Sequence, residues 1–166
     1  MSCLGVLFSL DDQLVEKIKS FKEDEDRLEY LQETVEETFF GEHPQWVAEL
    51  DKSWDALHRS LTDGKLEWSN GNYPLNLVIL GGDRIYEGLD YIMTLKTPQQ
   101  VKDIYKSLTS ISKETFKHAY FKIDKREYED FSPEDFEYTW EWFYPSLAFW
   151  KLAAEEGRYV LFTVDQ

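Results

Sequence analysis

The sequence predicts an α+β fold: a single helix-rich domain over residues 1–166, packed around a small mixed β-sheet that includes the N- and C-terminal strands. Three observations predict it. Short apolar runs sit near both ends of the chain, residues 4–10 before Asp11-Asp12 and residues 159–164 after Gly157, and read as buried strands. Between them, apolar residues recur mostly at helical spacing. A length of 166 residues, 42% of them hydrophobic and 16% aromatic, suits one core rather than several.

The elements follow in order. Leu14, Val15, Ile18 and Phe21 mark a first helix, and Leu28, Leu31, Val35 and Phe39 a second, which Gly41 should stop. A third runs over residues 51–61 with Trp54, Leu57 and Leu61 inward, ending at Thr62-Asp63-Gly64. Residues 65–73, with Asn70-Gly71-Asn72, read as a loop. Pro74 then opens a short helix up to Leu80, closed by Gly81-Gly82. Residues 91–95 read as a strand. Thr97-Pro98-Gln99-Gln100 supplies a capping threonine, a first-turn proline and a glutamine three residues on, before the stripe Val101, Ile104, Tyr105 and Leu108. Ser132-Pro133-Glu134-Asp135 starts the last helix in the same way.

Charge excludes several functions. The chain carries a net −15 with a pI near 4.5, which opposes binding to phosphate backbones and to anionic membrane surfaces. It favours solubility and salt-sensitive association with a basic partner. Residues 96–126 run against the trend with a balance of +5, leaving −20 on the rest. There Lys102 and Lys106, then Lys113 and Lys117, lie four apart and line helix faces. Cys3 is the only cysteine, and His43, His58 and His118 lack ligand spacing, so neither a metal nor another cofactor is expected. Residues 1–10 lack a signal-peptide pattern and no apolar run has the length of a membrane span, so a cytoplasmic protein is expected.

Three blocks resemble the YfbM-like family of bacterial proteins, a domain of unknown function. The first is Leu50-Asp51-Lys52-Ser53-Trp54-Asp55-Ala56-Leu57-His58 with Leu61-Thr62 and Gly64. The second is Pro74-Leu75, Ile79-Leu80-Gly81-Gly82, Tyr91, Leu95, Thr97-Pro98 and Val101. The third is Phe149-Trp150, Ala153-Ala154, Gly157 and Val160-Leu161. The resemblance spans nearly the whole chain and implies one α+β domain with many helices around a small sheet, with no settled activity. Two departures stand out: Asp55 occupies a position where many relatives carry histidine, and Pro145 lies inside the last helix, where it should kink the axis.

Two sets of residues are candidate sites. Seven of the fifteen residues from 127 to 141 are acidic, and ten aromatics fall between 128 and 150. In the last helix Phe136, Trp140, Phe143, Leu147, Trp150 and Ala154 form a core stripe, while Tyr138, Trp142 and Phe149 project from another face flanked by Glu134, Glu141 and Glu156. Either the helix is buried on both sides, or this second face is an aromatic surface ringed with acid, as protein interfaces are. The expectation is Trp142 partly exposed and Trp140 and Trp150 buried. The second set is Trp54, Asp55 and His58 with the Gly81-Gly82 turn. A carboxylate three residues from an imidazole on one helix is half of a general-base pair, though a histidine anchoring its helix is the plainer account. The sequence therefore points to a non-enzymatic acidic protein-binding module, possible roles including an immunity- or antitoxin-type inhibitor of a basic toxin or nuclease. Two alternatives stay open: a small-molecule-binding protein or hydrolase at the second set, and a structural homo-oligomer.

Overall fold

The computed structural model describes residues 3–166; Met1 and Ser2 lie outside it. Its framework is a five-stranded sheet in the order β2-β1-β5-β4-β3, formed by β1 (Gly5–Leu10), β2 (Val47–Asp51), β3 (Asp83–Arg84), β4 (Tyr91–Lys96) and β5 (Tyr159–Asp165). The α+β class and the inclusion of both terminal strands hold. Every pairing is antiparallel, however, where a mixed sheet was expected. The terminal strands β1 and β5 pair with each other, Val6 opposite Thr163 and Leu10 opposite Tyr159. They reach the interior because they are apolar on both faces: Leu7, Phe8, Val160, Leu161 and Phe162 are fully buried.

Side-chain alternation divides the core in two. Phe8, Leu10, Met93 and Leu95 face α1 (Asp12–Ser20), α2 (Asp24–Tyr30) and α3 (Glu37–Glu42). Leu7, Ile92, Val160 and Phe162 face α4 (Trp54–Leu61), α5 (Pro98–Leu108), α6 (Lys113–Tyr120) and α7 (Pro133–Glu156). Among the described residues, no helix is long and apolar enough to cross a membrane.

Local chemistry sets most helix ends. The Asp11 carboxylate accepts from the Leu14 amide at 2.8 Å, Thr97 and Gln100 close a capping box, and the Ser132 hydroxyl caps α7 at the Asp135 amide, 3.0 Å away. Gly157, with φ at 66°, ends α7 in the left-handed conformation that glycine adopts freely. Three expectations shift. A π-helical stretch, Leu31–Glu36, joins α2 to α3, which carries Gly41 within it and ends at Glu42. The helix expected from residue 51 begins at Trp54, because residues 47–51 form β2 instead. Beyond Pro74 only a 3-10 turn forms, Leu75–Leu77.

Two buried polar arrangements matter for stability. Lys96 on β4 is fully buried, its amine hydrogen-bonded to the Ile79 carbonyl at 2.6 Å, the Thr94 carbonyl at 3.1 Å and the Thr94 hydroxyl at 2.6 Å. At the start of α7, the Tyr120 and Tyr128 hydroxyls both donate to one oxygen of Asp135, at 2.7 and 2.8 Å. Tyr128 also lies under the Arg59 guanidinium, 5.4 Å from its ring centre, and Arg59 pairs with Asp55 at 2.6 Å. Part of the acidic and aromatic stretch therefore serves to tie α4, α6 and α7 together. Asp135→Ala is expected to lower the unfolding free energy by about 1–3 kcal/mol, since the Tyr128 hydroxyl loses its acceptor and the Tyr120 hydroxyl keeps only the Ser132 carbonyl at 3.2 Å. An unchanged urea midpoint would show that these bonds add nothing.

Candidate functional site

A concavity lies between β2 and the middle of α7. It begins with a clamp. Asp51 ends β2 with a left-handed backbone, φ at 51°, and its carboxylate accepts from the Lys52 amide at 2.9 Å and from the Tyr138 hydroxyl. The Tyr138 hydroxyl in turn accepts from the Lys52 amide at 3.0 Å. Burial, then the Asp51 carboxylate, push the Tyr138 hydroxyl up to about 12, so it remains a donor at neutral pH.

One turn further along α7, the Trp142 ring stands edge-on to Tyr138, with centres 6.5 Å apart and planes at 68°. Trp142 is half-buried and walls two recesses. The larger is a groove of about 690 Å³ between Val47, Ala48 and Glu49 on one side and Trp142, Pro145 and Phe149 on the other. Its lining is mainly apolar, with Glu49 and Glu141 carrying the negative charge. The smaller recess, about 270 Å³, lies past Trp142 at the end of the sheet and is bordered by Glu36, Phe40, Glu49, Asp51, Tyr91 and Asp165. Burial raises the Glu36 carboxyl above its ordinary value, and the Tyr91 hydroxyl at 3.4 Å only partly offsets this.

Of the first residue set, Trp142, Phe149 and Glu141 line this groove, while Tyr138 lines neither recess and stands behind Trp142, bonded to Asp51. Trp142 is partly exposed and Trp150 fully buried, as the helical spacing predicts. Phe149 is a correction: it is 5% exposed, so it forms the groove floor rather than an outward face. Trp140 is another, half-buried against Phe116 and Tyr144 where full burial was expected. The inward stripe includes Thr139 and Ser146, whose hydroxyls return to the helix carbonyls of Asp135 at 2.8 Å and Phe143 at 2.6 Å and so bury without cost to a partner. Glu134 is exposed in the first turn, about 10 Å along the axis from Glu141, and lines neither recess.

The second set is spent on packing. Trp54 is 6% exposed and donates its indole N–H to the Cys3 carbonyl at 2.9 Å. Asp55 turns to Arg59 rather than to His58. His58 is 1% exposed, with Nε2 bonded to Asn70 Oδ1 at 2.8 Å, and burial holds its pKa below the ordinary value. At Gly81 a side chain would collide with the Asn76 carbonyl, and at Gly82, φ 117°, with the Leu95 carbonyl, so this turn exists for close backbone approach. None of the five residues lines the groove or the smaller recess. Missed in the sequence were Val47, Ala48 and Glu49; the signal available was their position just after Pro44, too short a run to separate from the helix that follows.

Fold and site together define an α+β domain with an acid-rimmed apolar groove between an edge strand and its longest helix. The chain belongs to the family described as a domain of unknown function (DUF1877), whose profile matches residues 1–163. It is similar in structure to YfbM, a protein of unknown function from Escherichia coli, with a TM-score of 0.67 and 16% identity over 97% of this chain and 99% of that one. That likeness bears out the fold expected from the three sequence blocks. No curated protein matches the sequence.

Proposed function

We propose that this protein is a non-enzymatic acidic binding module that receives a basic protein partner in the groove between β2 and α7, acting as an immunity- or antitoxin-type inhibitor of a basic toxin or nuclease. The observation that carries this reading is Trp142, half-buried at the junction of two recesses, beside an apolar groove flanked by Glu49 and Glu141. An aromatic anchor in an apolar centre with charge at the rim is the anatomy of a protein interface. A net charge of −15 adds long-range attraction for a basic surface and speeds its encounter.

The test uses a defined probe: a blocked seven-residue peptide alternating arginine and valine, titrated into the full chain by calorimetry. Raising salt from about 0.05 to 0.5 M is expected to weaken binding by tenfold or more. The double variant Glu49→Gln, Glu141→Gln should lose most of the affinity, while Glu23→Gln, Glu25→Gln, on the opposite side of the sheet, should lose little. Equal losses in the two variants would show that the peptide senses only total charge, and the groove would have no claim as the site.

A further inference from the structure

We infer that the partner binds as an added β-strand, an extended basic segment that pairs with the free edge of β2 and lies along α7. This rests on the proposed use of the groove by a basic partner. Among the described residues β2 is the outermost strand and pairs only with β1, so every second residue presents its N–H and C=O away from the sheet. Side chains alternate along a strand: Ala48 and Leu50 turn toward the α7 side of the core, and Val47 toward the other. Yet Val47, Ala48 and Glu49, three in succession, all line the groove. Consecutive residues share one groove only along the strand's edge, where the backbone itself is reached.

The opposite wall has the matching length. Residues 142–152 of α7 span about 15 Å, the length of four or five extended residues. Pro145, one turn into this wall, has no N–H, so the Glu141 carbonyl receives no helical bond from that position and keeps an acceptor for a donor in the groove. The left-handed Asp51 and its Tyr138 clamp close the strand at one end, and Pro44 borders the groove at the other. A slot between a sheet edge and a helix is the setting in which strand addition takes place: main-chain bonds give affinity and alternate side chains give selection. Apolar residues of the segment would rest on Phe149 and its neighbours, and arginines between them would turn to the other face, toward Glu49, with Glu141 left to a basic group at the groove's rim.

The experiment compares the arginine–valine peptide with two N-methylated forms, one blocked at every odd amide and one at every even amide. Strand addition predicts that one form loses binding by about tenfold or more and the other stays within about twofold, because only one parity of amides faces β2. Equal affinity of the two forms, with the parent peptide bound, overturns strand addition and leaves the basic-partner reading standing. A parent peptide that does not bind at low salt overturns both. A chain that sediments as a dimer and becomes monomeric on Val47→Lys would assign this edge to a second copy and overturn the inference.

Discussion

Trp142→Ala is expected to abolish binding of the basic peptide while leaving a folded protein, whereas Trp150→Ala is expected to lose the fold. The two tryptophans lie eight residues apart on one helix and differ in what surrounds them. Trp150 is fully buried and stacks edge-on with Phe149 at 5.8 Å, so its removal leaves a cavity and costs roughly 3–5 kcal/mol. That is a large fraction of the stability of a domain of this size. Trp142 already meets solvent on both sides, and truncating it costs about 1–2 kcal/mol of packing against Tyr138. Thermal melting and peptide calorimetry on the two variants separate the roles. If Trp142→Ala melts the protein as Trp150→Ala does, the helix is buried on both sides and Trp142 is not an anchor for a partner.

Lys96→Met is expected to stabilise the fold relative to the parent chain, and by a growing margin as pH falls. Burial holds the Lys96 amine well below its ordinary pKa, and its hydrogen-bonding partners, Ile79 and Thr94, are neutral. In the unfolded chain the amine titrates near its usual value of about 10.4. Above that pH it is neutral in both states and carries no penalty. As pH falls, the unfolded chain takes up the proton while the folded chain does not, and stability drops by on the order of 1 kcal/mol per pH unit until the folded pKa is reached. Methionine takes up no proton and fills similar volume, and the Ile79 carbonyl keeps the Thr94 hydroxyl at 2.7 Å. Urea melts of both chains between about pH 7 and pH 10 measure the difference, in which shared groups such as the buried tyrosines cancel. Parallel curves would mean that the buried amine keeps an ordinary pKa.

Much of the fold was legible in the sequence because its signals are local. Asp11, Thr97 with Gln100, and Ser132 cap the helices they precede, and Gly157 ends the last one, since each bond spans only three or four residues. The apolar runs at the two ends read as buried strands and are β1 and β5, and the three blocks of sequence sufficed for the family. The angle between Trp142 and the core was legible too, because helical geometry sets the turn between residues of one helix. Tertiary structure decided the rest. Periodicity gives angles around α7 but not the directions in which its neighbours lie, so Phe149 was read outward although it faces the groove floor beside β2. Thr139 and Ser146 took the inward positions because their hydroxyls bond to the helix's own carbonyls, which no hydropathy pattern records. Asp55 and His58 stand within reach on one helix, yet Arg59 and Asn70 offered each a better partner. The groove itself joins a five-residue strand to a helix segment roughly ninety residues away, and residues so far apart share a surface only once the sheet order places β2 at the edge and α7 beside it.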